Sequence, residues 1–170
     1  MAFGDVVGTP VGVSASFAGS PYSITVNFGF TATLGNLLFL GGSWAVAKSA
    51  YVDPSGWNIG QSIPVSTGLL SSRGYWKISD GTETSAVLSM TGAGVATVGA
   101  VLSQFEGPFA VSPLDISGED ETNIGGSVTS QPSGTIITTV NDALLLAFFG
   151  VSANQNWDNG SRAFSNSFYW

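Results

Sequence analysis

The sequence predicts an all-β domain, an antiparallel two-sheet β-sandwich of the jelly-roll kind. Residues 22–30 alternate large apolar side chains with small or polar ones, which is the period of two expected of a half-buried strand. No stretch of the sequence shows a sustained 3.6-residue period. Short β-rich stretches recur with Gly, Pro, Asn and Asp between them, and about eight such strands favour two packed sheets.

The next stretch, residues 37–47, is more continuously apolar than residues 22–30. This pattern is typical of a central strand that is covered on both faces. The tetrapeptide Asp53-Pro54-Ser55-Gly56 then places Pro and Gly at positions favoured in type I turns. We therefore expect the chain to reverse direction there.

Two further strands are predicted at residues 74–79 and 84–90. They flank Asp80-Gly81, a dipeptide that supplies a positive φ and marks short hairpins. The sequence therefore predicts a β-hairpin at this point. Residues 95–105, rich in β-branched and small side chains, predict the strand that follows.

The C-terminal third has a different composition. Residues 107–134 contain three prolines, several glycines and an acidic run, which predicts a long surface loop. Strands are expected again at residues 136–140 and 143–151, and residues 154–170 form a tail rich in Asn, Ser and aromatic side chains. A length of 170 residues fits one domain, so we assign the whole chain, 1–170, to a single sandwich.

The composition excludes several function classes. The chain has no histidine and no cysteine, which are the usual proton-transfer and zinc-binding side chains. It carries 4 Lys+Arg against 11 Asp+Glu, a net charge of −7, and so lacks the basic surface that nucleic acid or anionic lipid requires. We expect a non-enzymatic protein without cofactor, metal site, nucleic-acid partner or membrane contact.

The sequence also bears on localisation. The N-terminal residues include Asp5 where a secretory signal needs a basic residue, and no apolar segment follows, so no signal peptide is predicted. The longest apolar run, residues 37–47, is shorter than the roughly 20 residues of a membrane-spanning helix. We expect synthesis in a cytoplasm.

Carboxylates offer the remaining catalytic and metal-binding hypotheses. Asp80 with Glu83, or Glu106 with Asp115, could form the carboxylate pair of a glycoside hydrolase, which needs no histidine. A turn role for Asp80 and a strand-end position for Glu106 explain them more simply. Calcium could find oxygen ligands in the acidic loop, at Asp115, Glu119, Asp120, Glu121 and Asn123. Because the EF-hand spacing is missing, we interpret this run as a solvated loop.

Tryptophans raise the possibility of carbohydrate binding, because an exposed indole offers a flat apolar face and an N–H donor to a sugar. Trp57, beside a turn, and Trp157, between Asn156 and Asp158, are the candidate sugar contacts. Trp44 lies in an apolar run and is predicted to belong to the core. The alternative for all of these rings is that they close the ends of the sandwich.

An aromatic cluster near the C-terminus is the candidate interface, formed by Phe164, Phe168, Tyr169 and Trp170. Exposed apolar clusters of this kind mark interaction sites. The same segment has some alternation, so a last strand within the same subunit is the other interpretation.

Several short motifs between residues 20 and 151 resemble a β-sandwich domain of bacteriophage virion and tail proteins and of some bacterial surface proteins. The motifs are Gly35-Asn36-Leu37-Leu38, Pro54-Ser55-Gly56-Trp57, Gly74-Tyr75-Trp76-Lys77, Phe105-Glu106-Gly107, Pro113-Leu114-Asp115 and Asn141-Asp142-Ala143-Leu144-Leu145. The resemblance implies a non-enzymatic module on a particle or cell surface.

From the resemblance and the composition we expect a viral structural protein, a capsid decoration or cement protein of a bacteriophage particle. The expected partners are further copies of the chain, as a homotrimer, and other virion proteins such as the major capsid protein. The expected location is the virion. The alternative is a tail-fibre or surface domain that binds host glycan.

Overall fold

The fold consists of two antiparallel β-sheets that pack face to face. The computed structural model describes residues 4–45, 50–63, 71–92, 94, 96–109, 113–114, 144 and 146. The strands in these residues are β1 (Val11–Phe17), β2 (Tyr22–Asn27), β3 (Leu37–Ala45), β4 (Ala50–Val52), β5 (Asn58–Ile63), β6 (Ser71–Ile78), β7 (Ser85–Thr91) and β8 (Ala96–Phe105). The predicted all-β sandwich of two antiparallel sheets is confirmed.

The strands are distributed over a five-stranded sheet, in the order β1-β8-β3-β6-β5, and a three-stranded sheet, in the order β2-β7-β4. Along the described chain, β5 and β6 are the one consecutive pair that shares a sheet. Every other step between consecutive strands carries the chain from one sheet to the other. The chain therefore crosses repeatedly between the two sheets of the sandwich.

The core lies between the sheets and follows the strand periodicity. In β2 buried and exposed residues alternate without exception: Tyr22, Ile24 and Val26 are buried, and the residues between them are exposed. Trp44 and Leu40 of β3 are fully buried, as predicted for residues inside the apolar run. The strand predicted at residues 37–47 is central, since β8 and β6 flank β3 on either side.

The Asp80-Gly81 turn does not form the hairpin that the sequence predicts. Gly81 has the expected positive φ, at 84°. However, β6 pairs with β3 and β5, whereas β7 pairs with β2 and β4. The turn is therefore a connection between the two sheets. A turn dipeptide reverses the chain but does not specify whether the second strand hydrogen-bonds to the first.

The predicted reversal of the chain near Asp53 is confirmed, but the turn lies one residue later than predicted. The Trp57 N–H donates to the Pro54 carbonyl at 3.1 Å, so Ser55 and Gly56 are the central residues of the turn. Gly56, the third residue of this turn, has φ 79°, as type II turns require, so the prediction of a type I turn is wrong.

Strands β1 and β5 were not among the predicted strands, nor was the three-residue strand β4. β1 alternates, but with glycine, alanine and serine at most positions, so its apolar signal is weak. β5 contains an irregularity in its pairing with β6 between Ile59 and Gln61, which interrupts the period of two. Both strands lie at the edges of the five-stranded sheet.

The buried side-chain amide of Gln104 in β8 binds the segment between β2 and β3. Gln104, fully buried, accepts a hydrogen bond from the Thr33 N–H at 2.9 Å and donates one to the Thr31 carbonyl at 3.3 Å. Nearby, the Asn36 side-chain oxygen accepts from the Gly107 N–H at 3.0 Å. These bonds satisfy loop groups that leave the β-ladders.

The predicted strands at residues 136–140 and 143–151 lie outside the described residues, apart from Leu144 and Leu146, and most of the predicted loop at 107–134 does as well. None of the described residues lies in a helix long and apolar enough to cross a membrane.

Candidate functional site

The three-stranded sheet turns one face toward the core and the other toward solvent. Because side chains alternate along a strand, the residues between the buried ones of β2 and β7 share the outer face. We call this surface the hydroxyl face. Its members are Ser23, Thr25, Asn27, Val52, Ser85, Val87, Ser89 and Thr91, all exposed except the half-buried Ser89.

The hydroxyl face carries no charged side chain. Ser23 and Ser89 lie opposite each other on β2 and β7, and their hydroxyl oxygens are 3.0 Å apart in a hydrogen bond. Val87 lies opposite Thr25, and Val52 lies opposite Ser89 on the other side. Val52 and Val87, 52% and 43% exposed, are therefore diagonal neighbours across β4 and β7. The result is a small apolar centre among hydroxyl groups.

The outer face of the five-stranded sheet is different, because part of its centre is buried. Ser43, Ser72 and Ser103 occupy neighbouring strands on that side, and each is at most 5% exposed. Leu37 and Phe105, which are paired on the same side, are also buried. On the five-stranded sheet the exposed outer positions lie toward the edge strands, at Gly12, Ser14, Ser16 and Asn58, whereas the hydroxyl face is exposed along its central strand β7 as well.

The carboxylate pair suggested by sequence, Asp80 and Glu83, is built into the inter-sheet turn. The Glu83 carboxylate accepts from the Lys77 ammonium at 2.6 Å, from the Ser79 hydroxyl at 2.8 Å and from the Asp80 N–H at 3.1 Å. Burial raises the pKa of Glu83, but these hydrogen bonds outweigh it and lower the pKa to about 2. The Asp80 carboxylate accepts from the hydroxyl and N–H of Thr82, which lowers its pKa too.

Lowered pKa values do not suit glycoside hydrolysis, in which one carboxyl group must have a raised pKa to act as general acid. Both carboxylates instead serve as hydrogen-bond acceptors that close the turn. In the second suggested pair, Glu106 lies just after β8 and its peptide group pairs with Gly4 and Asp5. Its suggested partner Asp115 lies outside the described residues.

Trp57, the first candidate sugar contact, follows the turn between β4 and β5. Its ring is half-buried and packs against the core cluster. The start of this loop is fixed by Asp53, whose carboxylate accepts from Arg73 at 2.7 Å and from the Tyr75 hydroxyl at 3.0 Å. Burial, followed by the hydrogen bond to Asp53, raises the pKa of Tyr75, so the phenol stays a donor.

The remaining tryptophans of the sandwich serve packing. Trp44 contacts Tyr51 edge to face, with ring centroids 5.1 Å apart, and is fully buried. Trp76 is half-buried on the outer side of the five-stranded sheet. The indole N–H groups of Trp44 and Trp76 are both buried and have no hydrogen-bond partner among the described residues.

The second candidate sugar contact, Trp157, lies outside the described residues, as does the aromatic cluster of Phe164, Phe168, Tyr169 and Trp170. The same holds for the acidic residues considered for calcium. Within the described ranges, no group of three acidic side chains is placed to hold a metal ion. The assignments to these residues stay predictions.

Sequence reasoning did not identify the hydroxyl face, although a signal for it exists. The polar positions of β2 are Ser23, Thr25 and Asn27, and the strand contains no charge. Serine and threonine at every second position of an exposed strand distinguish an uncharged face from the usual Lys- and Glu-rich one.

Comparisons with known proteins add no assignment. A scan against protein-family models, a search of curated proteins and a search of solved structures each returned no match. Function is therefore inferred from the geometry of the protein and from the motifs in its sequence.

Proposed function

We propose that this protein is a non-enzymatic structural protein of a bacteriophage particle, a capsid decoration or cement protein, which attaches through the hydroxyl face. The observation that carries the associative part is the exposed, charge-free outer face of the three-stranded sheet. The assignment to a phage particle depends on the sequence motifs that resemble virion proteins.

An uncharged face favours association because of its low desolvation cost. Burying an ion without a partner costs far more than burying a hydroxyl group, and interface centres are accordingly depleted in Lys, Glu and Asp. Val52 and Val87 supply the apolar centre, and the surrounding hydroxyl groups can both donate and accept hydrogen bonds. A stable contact buries roughly 800 Å² on each partner, so the eight residues would form its centre and need flanking contacts.

The distribution of charge supports the same surface. Within the described strands, charged side chains occur on β6 alone, at Arg73 and Lys77. Arg73 forms an ion pair with Asp53, and Lys77 forms one with Glu83. Strands β2, β4 and β7 contain no charged residue, so the strands of this sheet present no charge of their own to an acidic neighbour.

The alternative function, glycan recognition by a tail-fibre or surface domain, has less support from the described residues. The Trp57 ring packs in part against the core, which leaves less of it for a sugar. Trp157 lies outside the described residues and stays a candidate.

Co-sedimentation with purified phage particles that lack this protein tests the proposal. We expect the protein to sediment with the particles, and Val87→Glu to abolish attachment while the thermal unfolding midpoint stays unchanged, because the new charge is exposed in the free protein. Ile59→Glu is the matched control, since Ile59 is 47% exposed on a strand of the other sheet.

Two results would contradict the proposal. One is equal attachment by the Val87→Glu and Ile59→Glu variants, which would place the contact elsewhere. The other is hydrolysis of a polysaccharide that Glu106→Gln abolishes without unfolding the protein. Binding to a glycan array that is lost in Trp57→Ala or Trp157→Ala would instead favour the alternative.

A further inference from the structure

Strand β1 forms an open edge of the five-stranded sheet. Within the described part of the chain, β8 is the one strand that pairs with it. The β1 side chains that point toward the core, at Val11, Val13, Ala15 and Phe17, are each half-buried. Their partners on β8 that face Val11, Val13 and Ala15 are Leu102, Ala100 and Val98, and these are buried. The core is therefore incompletely covered along this edge.

The hydrogen bonds next to β1 show which of its backbone groups point outward. The Val7 N–H donates to the Gln104 carbonyl at 2.8 Å, on the same side of β8 as β1. Backbone groups alternate in direction along a strand, so Leu102 and Ala100 also bond toward β1, to their partners Val11 and Val13. The N–H and C=O groups of Gly12, Ser14 and Ser16 consequently lie on the outer edge.

This edge lacks the features that normally prevent strand addition. Natural edge strands are protected by lysine, proline, bulges or very short length. β1 has seven residues, no charge, no internal proline and an uninterrupted register with β8. Asp5 is the one charged residue in the first 45 positions of the sequence. A second copy could approach here without bringing like charges together.

The residues of β1 are also complementary to themselves. In an antiparallel pair centred on Ser14, the residues facing each other are Val11 and Phe17, Gly12 and Ser16, and Val13 and Ala15. The half-buried apolar row of one copy would then continue that of the other. The side chains of β1 on the outer face of the joined sheet would be those of glycine and serine alone, and these small residues allow the two strands to approach closely.

We propose that two copies of this chain pair β1 with β1 in antiparallel fashion, about a two-fold axis through Ser14, and join their five-stranded sheets into one. The inference deepens the associative role proposed above by naming a partner and a contact. The β1 edge and the hydroxyl face are different surfaces, so an experiment can refute one contact without refuting the other. A self-complementary contact closes at two copies, in contrast to the homotrimer expected from the family resemblance.

Cysteine cross-linking tests the register directly, because the natural chain contains no cysteine. In the proposed pair the two Ser14 Cα atoms are about 5.5 Å apart, within disulfide range. The two Ser16 Cα atoms would be about 14 Å apart, from the rise per residue, which is beyond that range. We expect Ser14→Cys to give a disulfide-linked dimer under mild oxidation and Ser16→Cys to give none.

The double variant Gly12→Cys/Ser16→Cys supplies a positive control for Ser16, because these residues face each other across the pair. A Cβ added at Gly12 meets no atom within 4 Å, so the substitution fits the fold. Efficient cross-linking of Ser16→Cys alone, or none of Ser14→Cys, would overturn the proposed register.

A proline variant tests the contact without cross-linking. The Ser14 N–H points outward, so Ser14→Pro removes no bond to β8 and is expected to fold. It should raise the dimer dissociation constant at least about tenfold, while Ser14→Ala, which keeps the N–H, should not. Sedimentation equilibrium of the unmodified protein should give a dimer mass. A monomer or trimer mass, or a dimer unaffected by Ser14→Pro, would refute the inference and leave particle attachment to be judged by its own assay.

Discussion

Gly42 gives the sharpest test of how the two sheets pack. It lies in the central strand β3 and faces the three-stranded sheet. A Cβ added there would lie 2.7 Å from Leu88 Cδ1 and 2.7 Å from Trp44 Cη2. Carbon atoms in contact are normally about 3.5–4.0 Å apart, so at least one neighbour must move by about 1 Å.

The neighbours of Gly42 have little freedom to move. The Trp44 indole is rigid, fully buried and in edge-to-face contact with Tyr51. Leu88 is flexible but also fully buried. Overpacking of this kind costs about 1–3 kcal/mol. Replacing a strand glycine lowers the entropy of the unfolded chain and returns about 0.4–1 kcal/mol. We therefore expect Gly42→Ala to lower the free energy of unfolding by about 1–2 kcal/mol.

Urea denaturation measures this difference, and the matched control is Gly12→Ala in β1, where an added Cβ meets nothing within 4 Å. The control isolates the entropic gain, so it should leave stability unchanged or raise it by up to about 1 kcal/mol. For a chain of this size, the loss in Gly42→Ala corresponds to a thermal midpoint lower by roughly 2–8 °C. Equal stability of the two variants would refute the close packing of β3 against β7.

Three further predictions concern single side chains. Folding lowers the pKa of Glu83 from 4.5 to about 2, so the stability that its carboxylate gives the folded state is present above about pH 4.5 and is lost as the pH drops toward 2. Unfolding free energies measured across that range should show this slope, and Glu83→Gln should remove most of it; an equal slope in the variant would contradict the assignment. Gly81→Val should cost at least about 1 kcal/mol because φ is 84°, whereas Gly81→Asn should cost less, and thermal midpoints that do not distinguish the two would argue against strain at this position. Gln104→Leu should cost about 1–3 kcal/mol in urea denaturation, since it removes the partners of Thr33 N–H and the Thr31 carbonyl, and an unchanged midpoint would show that these bonds are replaceable.

The sequence contains enough local information to predict the fold class and several elements. The alternation in β2 predicts which of its residues are buried, and the apolar run that begins at Leu37 predicts a central strand. Gly56 and Gly81 were predicted to lie in turns, and both have a positive φ. These features depend on side-chain periodicity and local backbone preference, which are properties of short segments.

The candidate site was less accessible to sequence reasoning. In the sequence, aromatic and acidic residues are the candidates for a site, since these side chains carry recognisable chemistry. The hydroxyl face is made of Ser, Thr, Asn and Val, which no motif marks as a site. It becomes a surface because β2, β7 and β4 lie side by side, although their positions in the chain are far apart.

The sequence by itself determined that this protein is an all-β sandwich, where its central strands lie and where the chain must turn. The tertiary structure alone decided which sheet each strand joins. It showed that Asp80-Gly81 leads from one sheet to the other, and that β1 is the last strand of the larger sheet among the described residues. The physical reason is that strand partners are chosen by hydrogen bonds and packing between residues distant in the chain, whereas periodicity and turn preference act within a few residues.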